Sequence, residues 1–191
     1  MTSTGSSPSS IPEHVGRPGL ALRHDRHCQG RVPVTEPRFC LVPAVYVVLR
    51  RRTHGRREVL LQFRDGTGFM DRHWACGAAG HVEAGESLFQ AAVREAREEL
   101  DITVTPDDLV PLVVVHRRHD DDDPINQRID VFFACDTWTG EPRTVEADKS
   151  SDLRWFDVAD LPEPVVPHEA RVLRALAAGD LPLVATYGFD D

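Results

Sequence analysis

The sequence predicts an α/β fold in which a mixed sheet lies between helices. Strand-like segments occur on both sides of a central helical segment, and a second helical segment follows near the carboxyl terminus. An Asp-rich turn at 120–123 also separates two strand candidates that would pair antiparallel. With 191 residues, of which 41% are hydrophobic and 28% charged, the chain has the size and composition of one globular domain.

The first 37 residues differ from the rest. They begin MTSTGSSPSS and continue with scattered Pro, Gly, His and Arg, without an apolar period. We expect a largely disordered extension over 1–37 and a folded domain over 38–191. Chance composition explains His24, Asp25, His27 and Cys28 better than a metal site does, because a flexible tail offers no second ligand pair.

Two strands open the folded part. FCLVPAVYVVL and EVLLQFR are rich in Val, Leu and aromatic residues, and they flank the basic, glycine-containing turn RRTHGRR. Further strands are expected at 112–116, 129–136 and 153–156, each bounded by charged or turn-forming residues.

The central helix has clear start and packing signals. Ser87 and Gln90 fit a capping box, and a recurring apolar stripe predicts the face that packs inward: Phe89, Val93, Ala96 and Leu100. A second helix is expected over about 167–178, where Pro167 fits the first turn and Gly179 fits the carboxyl-terminal stop.

Three carboxylates of the central helix predict a cation site. Glu95, Glu98 and Glu99 are three and four residues apart, so they should project together, roughly opposite the apolar stripe. Such like charges repel, and Arg94 can brace only part of the cluster, whereas Mg²⁺ or Mn²⁺ favours hard oxygen ligands. The alternative is a solvated acidic face stabilised by Arg94 and Arg97.

The residues around this helix decide between the two interpretations. The segment 80–102 reads GHVEAGESLFQAAVREAREELDI and resembles the signature of the Nudix hydrolase superfamily at these positions: Gly80, Glu86, Arg94, Glu95, Ala96, Glu98, Glu99 and Ile102. Asp101 stands where the family has a late glycine, and Asp is tolerated there because it accepts a left-handed conformation better than most residues. Ala78 and Ala79 replace the Pro-Gly that often precedes the box.

The resemblance implies an α/β/α sandwich and a divalent-metal site. Its metal ligands would be Glu95, Glu98, Glu99 and the carbonyl of Ala79. Arg94 and Glu86 would hold the carboxylates in place. Glu95 or Glu98, or else Glu146 outside the box, would orient or deprotonate the attacking water. The cofactor would be Mg²⁺ or Mn²⁺.

The implied activity is hydrolysis of a diphosphate linkage in a nucleoside diphosphate joined to another group. In the family, a Tyr downstream of the box marks dinucleoside polyphosphate enzymes, and a Pro at the position of Arg117 marks ADP-ribose enzymes. Segment 47–186 contains no Tyr, and position 117 is Arg. Nucleoside di- or triphosphates are therefore favoured by elimination. The alternatives are a catalytically inactive, ligand-binding regulator and isopentenyl diphosphate isomerase, although WACGAAG does not resemble the cysteine motif of that isomerase.

Features outside the box have mostly structural explanations. Residues 120–123 are expected to be a solvated acidic turn rather than a second metal site. His116, Arg117, Arg118 and Arg128 surround that turn, where contact with substrate phosphate, particularly by Arg128, competes with surface pairing to the Asp run. Trp74 and Trp155 are expected in the core, and Cys76 is expected to be a buried thiol rather than a nucleophile.

Charge and cysteine content limit the partners. A formal charge of −9 repels polyanions, so we expect a small nucleotide substrate and no broad nucleic-acid surface. The four cysteines lack zinc spacing, and no apolar run matches a signal peptide or a membrane span. These features predict a cytoplasmic protein without membrane association, for which a homodimer is an open alternative to a monomer.

Overall fold

The computed structural model describes residues 39–119 and 126–189. The predicted extension over 1–37, with His24, Asp25, His27 and Cys28, lies outside these residues, and so does the Asp-rich turn at 120–123.

Eight strands and two α-helices follow one another along the described chain. They are β1 Val42–Thr53, β2 Arg56–Arg64, β3 Trp74–Cys76, β4 Ala78–His81, α1 Leu88–Leu100, β5 Leu109–Arg117, β6 Arg128–Cys135, β7 Ser150–Asp157, α2 Pro167–Ala178 and β8 Val184–Tyr187. All five predicted strands and both predicted helices are present. Neither helix has the length and apolar character needed to cross a bilayer.

The strands form one mixed sheet. The order is β3-β2-β1-β6-β5-β8, while β4 pairs with β1 and β7 pairs with β2. The pairs β1–β6 and β5–β8 are parallel, whereas the predicted β1–β2 and β5–β6 pairs are antiparallel. The sequence pattern had predicted a mixed sheet without its strand order, and long-range pairing supplies that order.

The sheet is covered on both faces, which explains the continuous apolar run of β1. Val45 and Val47 belong to the apolar cluster that contains α1, whereas Tyr46 and Val48 belong to the cluster that contains α2. Successive side chains of a strand point to opposite faces, so a strand between two helices is apolar at every position. The architecture is the predicted α/β/α sandwich.

Helix α1 begins and ends as its sequence predicts. Ser87 Oγ accepts from the Gln90 backbone N–H at 3.2 Å, and the Ser87 N–H donates to Gln90 Oε1 at 2.8 Å, which completes the capping box. Asp101 closes the helix in the left-handed conformation, with φ 55°. The conformation expected at this substituted position is therefore confirmed.

The packed face of α1 differs from the predicted stripe. Ala96 and Leu100 are buried as expected, but Phe89 is 36% exposed, and the remaining buried residues of the helix are Ala91, Ala92 and Glu95. The prediction counted apolar side chains only. It therefore placed Glu95 opposite the packed face, whereas this carboxylate is turned toward β4.

Candidate metal-dependent active site

Arg94 connects three carboxylates of the site. Its Nε and Nη2 donate to the two oxygens of Glu86 at 2.8 and 3.1 Å. Its Nη1 donates to Glu95 at 2.7 Å and to Glu98 at 3.0 Å, and Nη2 also reaches the His81 carbonyl at 3.0 Å. These bonds raise the pKa of Arg94, with the Glu86 bonds as the largest cause. One guanidinium thus joins α1 to the loop before it and to the end of β4.

Glu95 occupies space that exists because residue 80 is glycine. A Cβ atom at Gly80 would lie 1.9 Å from Glu95 Oε1, so any other residue would displace the carboxylate. Glu95 is only 8% exposed. Burial raises its pKa against the opposing effect of Arg94, and the charges of Glu98 and Glu146 raise it further. The site therefore holds a buried carboxylate that is incompletely compensated by Arg94.

Glu99, one helical turn after Glu95 on α1, contacts the same strand, β4. Its Oε2 accepts from the Ala79 backbone N–H at 3.1 Å and from Gln62 Nε2 at 3.0 Å. Burial raises the pKa of Glu99 to about 7, and the charges of Glu95 and Glu146 act in the same direction. Glu95 at Gly80 and Glu99 at Ala79 thus place two carboxylates along adjacent residues of β4.

A polar cleft of about 330 Å³ continues from Glu99. Its lining includes Gln62, Arg64 and Thr67 from β2 and the loop after it, and Thr144, Glu146 and Lys149 from the segment before β7. Glu146, the carboxylate suggested outside the box, therefore shares a cleft with Glu99. Glu98 is more exposed, with 56% of its side chain accessible, and lies beyond Arg94.

The donor set suits a hard divalent cation, although its oxygens are engaged elsewhere. Among the described residues, no three His, Cys, Asp or Glu side chains already form a group able to hold a metal. Arg94 binds Glu95 and Glu98, while Gln62 and Ala79 bind Glu99. The buried carboxylates at Gly80 and Ala79 provide oxygen ligands, and the nearby charge of Glu146 raises the pKa of both, so the environment favours added positive charge.

Of the two arginines near the Asp-rich turn that start or end a strand, Arg117 differs from expectation. Arg117 is 1% exposed, and its Nε donates to the buried Asp130 at 2.6 Å, so surface pairing is wrong for this residue. A buried carboxylate on the neighbouring strand explains the difference. Arg128 starts β6 opposite Arg117, and its pKa is lowered by burial and by the Arg117 charge. It does not line the cleft at Glu99, so its contact with substrate stays a prediction.

Sequence reasoning missed Gln62, Arg64 and Lys149. They reach the cleft from β2 and from the segment before β7, and neither segment carries a recognisable motif. The alternation within β2 was a usable signal for Gln62, since it places Gln62 on the opposite face from the buried Leu61.

Three other predictions concern the core. Trp74 is 8% exposed, as expected for a core residue, and Trp155 is partly buried against the cluster that contains α1. Cys76 is fully buried, and burial raises the pKa of its thiol. The predicted burial of Cys76 is therefore confirmed.

Fold and site together define a mixed α/β/α domain that presents clustered glutamates from one helix to a glycine-containing strand. The NUDIX domain model matches residues 41–176, which is more than half of the chain. The chain therefore belongs to the NUDIX domain family. Membership supports pyrophosphate-linkage hydrolysis as the general class of activity.

Individual relatives agree with this assignment. The chain is 27% identical over 119 residues to the uncharacterized Nudix hydrolase YvcI of Bacillus subtilis, a match that covers 62% of this chain and 73% of the relative. It is similar to the crystal structure of a MutT NUDIX hydrolase from Burkholderia pseudomallei, with 29% identity, a TM-score of 0.57 and coverage of 69% and 96%.

A different activity occurs among the relatives. The isopentenyl-diphosphate Delta-isomerase of Escherichia coli O6:H1 is 27% identical over 88 residues, which covers 46% of this chain and 47% of the isomerase. The match thus spans about half the length of that enzyme.

Proposed function

We propose that this protein is a Mg²⁺- or Mn²⁺-dependent pyrophosphohydrolase that cleaves the diphosphate linkage of a nucleoside di- or triphosphate or a related nucleotide. The observation that carries the proposal is the pair of carboxylates at Gly80 and Ala79, of which Glu95 is fastened by Arg94. A buried pair of this kind is costly without a cation, and a divalent cation is what a diphosphate needs.

Glu95, Glu98, Glu99 and the Ala79 carbonyl would hold the ion. When bound, the ion neutralises diphosphate oxygens and makes water more acidic. Arg94 keeps Glu95 and Glu98 oriented through its bonds at 2.7 and 3.0 Å, and Glu86 fixes Arg94 from the other side. This arrangement keeps the two carboxylates oriented before substrate arrives.

Water is activated by one of three carboxylates in this proposal. Glu95 and Glu98 lie on the helix, whereas Glu146 lines the same cleft as Glu99. Burial and neighbouring negative charge raise the pKa of Glu95, which makes it a stronger base than an exposed glutamate. Arg128 would contact phosphate oxygens through its guanidinium.

The test is a panel of nucleoside di- and triphosphates and nucleotide sugars, incubated with Mg²⁺ or Mn²⁺ and analysed by mass spectrometry of the products. We expect a split within the diphosphate and no turnover with EDTA. The variants Glu98→Gln and Glu99→Gln should each reduce turnover by orders of magnitude while circular dichroism stays unchanged. Near-wild-type rates in both would refute the site assignment.

Glu141→Gln is the matched control. Glu141 is exposed and lies outside the cleft, so this substitution removes the same charge away from the site. It should retain wild-type turnover.

Isomerisation of isopentenyl diphosphate is the second candidate function, because one relative is an isopentenyl-diphosphate Delta-isomerase. Incubation with isopentenyl diphosphate should give no isomer. Formation of dimethylallyl diphosphate without hydrolysis of any nucleotide would replace our proposal. Tight nucleotide binding without turnover in Mg²⁺ would instead identify a ligand-binding regulator.

A further inference from the structure

The cleft beside Glu99 contains one ammonium group among its carboxylates. Lys149 Nζ lies 2.7 Å from Glu146 Oε1, and both residues line the cleft together with Glu99. The pKa of Lys149 is raised, first by its bond to Glu146 and then by the charges of Glu146, Asp148 and Glu99. The Lys149 ammonium thus lies in the acidic region that would attract a divalent ion.

The backbone that carries Lys149 is held from two sides. The Val145 N–H donates to the Glu99 carbonyl at 3.2 Å, and the Asp65 N–H donates to the Lys149 carbonyl at 3.0 Å. A Cβ at Gly66 would lie 2.6 Å from the Asp148 carbonyl oxygen, so the two loops also touch there. Because these contacts hold the backbone, the Lys149 ammonium can move only by rotation about the bonds of its four-carbon side chain.

Lys149 differs in this respect from Arg64, the other cation of the cleft. Arg64 Nε donates to the Phe69 carbonyl at 3.1 Å, and its Nη2 donates to Thr67 Oγ1 at 3.1 Å. These bonds hold the guanidinium in its own loop. Within residues 39–119 and 126–189, the Lys149 ammonium pairs with Glu146 alone, and the Lys149 and Glu146 side chains are 53% and 36% exposed. Ion pairs this exposed are weak and exchange easily.

We propose that Lys149 is a built-in countercation of the cleft, which pairs with Glu146 in the metal-free protein and turns to the substrate's phosphate oxygens when a divalent ion bound beside Glu99 attracts the Glu146 carboxylate. The inference rests on the proposed function and extends it to a residue outside the box. A divalent ion attracts a carboxylate more strongly than an ammonium group does. The released ammonium, on its flexible side chain, is an effective phosphate ligand.

Two opposite effects follow from this exchange. Removing the ammonium removes a competitor for the ion, so Lys149→Met should bind Mn²⁺ more tightly than the wild type. Removing it also deletes a phosphate contact, so the same variant should bind a diphosphate more weakly once Mn²⁺ is present. A residue with a merely structural role would not shift the two affinities in opposite directions.

The experiment measures Mn²⁺ affinity by calorimetry without any substrate, using full-length protein. The matched control is Arg143→Met, which removes one positive charge from the same loop where Arg143 pairs with Asp101 at 2.7 Å, outside the cleft. We expect severalfold tighter Mn²⁺ binding in Lys149→Met than in Arg143→Met. Equal or weaker binding would overturn the proposal.

A second titration uses imidodiphosphate, which contains the diphosphate unit but resists hydrolysis, in saturating Mn²⁺. Lys149→Met should lose severalfold in affinity, while Lys149→Arg, which keeps the charge, should recover most of it. No difference between wild type and Lys149→Met would overturn the proposal. A wild type that binds Mn²⁺ and imidodiphosphate but hydrolyses no nucleotide would contradict the proposed function and leave these comparisons intact.

Discussion

At the scale of single residues, the site depends on the absence of one side chain. Gly80 has no Cβ, and Glu95 fills the space where that atom would be. The glycine is required for close approach rather than for an unusual backbone angle. Arg94 then fastens the carboxylate in place, at 2.7 Å. Gly80 and Glu95 therefore form one contact of the site, although they are fifteen positions apart in the chain.

Gly80→Ala tests this contact. The added Cβ should push Glu95 away from β4, lowering Mn²⁺ affinity severalfold or more and turnover by orders of magnitude. Calorimetry and the nucleotide assay measure the two effects. Gly77→Ala is the control, because its Cβ would meet Leu100 Cδ1 at 3.3 Å and no carboxylate. Wild-type Mn²⁺ affinity in Gly80→Ala would show that Glu95 does not need this position.

At the scale of elements, each helix contributes differently. Helix α1 carries the glutamates and is started by the Ser87–Gln90 capping box. Helix α2 covers the opposite face of the sheet, and its first turn buries Glu169, whose Oε2 accepts from the Cys76 N–H at 2.5 Å. Both helices thus bring carboxylates toward the segment that includes β3 and β4.

Ser87→Ala should destabilise α1 without abolishing the site. Loss of an N-cap side chain costs about 1 kcal/mol, because a backbone N–H of the first turn loses its acceptor. Urea unfolding should show this decrease in the free energy of unfolding, with turnover reduced far less than in Glu99→Gln. An unchanged midpoint would mean that the bond from Gln90 contributes nothing.

Glu169 should make stability depend on pH. Burial raises its pKa to about 7, against the smaller lowering effect of the Cys76 bond. The folded state then holds a proton that the unfolded state releases near pH 4.5. The free energy of unfolding should therefore fall as pH rises from about 4.5 to about 7, by about 3 kcal/mol from this group alone.

Urea unfolding across this pH range checks the expectation. Glu169→Gln should flatten the decline relative to the wild type, so that contributions from other carboxyl groups cancel in the difference. Glu163→Gln is the matched control, because Glu163 is 72% exposed and pairs with Arg174 at the surface. Parallel pH profiles for wild type and Glu169→Gln would contradict the assignment.

At the scale of the whole molecule, ion binding and folding are coupled. Glu95 and Glu99 come from α1, their contacts come from β4, and Glu146 comes from the loop before β7. Only the folded chain brings these groups together. An ion that binds them therefore stabilises the fold by mass action.

Mn²⁺ at about one hundred times its dissociation constant should add about 2.7 kcal/mol to stability. For a chain of this length, that corresponds to a rise of about 5 to 10 °C in Tm, which thermal unfolding monitored by circular dichroism can measure. Glu99→Gln should lose this response. Without metal at pH 8, the same variant should melt no lower than the wild type, since a buried charge has been removed. An equal Mn²⁺ response in both proteins would contradict Glu99 as a ligand.

Local patterns predicted both helices and five of the eight described strands, because their causes lie within a few residues. The Ser87–Gln90 box starts α1, the left-handed Asp101 ends it, and Pro167 with Gly179 brackets α2. Patterns failed where the cause was distant. The burial of Glu95 depends on Gly80, and the burial of Arg117 depends on Asp130 of the neighbouring strand.

The sequence alone determined both helices, five of the eight described strands, the family and the carboxylates available to a metal. Residue spacing along one helix and its loop encodes the family and those carboxylates. Only the tertiary structure decided the strand order, the inward direction of Glu95, and the meeting of Gln62, Arg64, Glu146 and Lys149 at one cleft. These features arise from strand pairing and loop packing between residues far apart in the chain. A helical or strand period carries no information about such contacts.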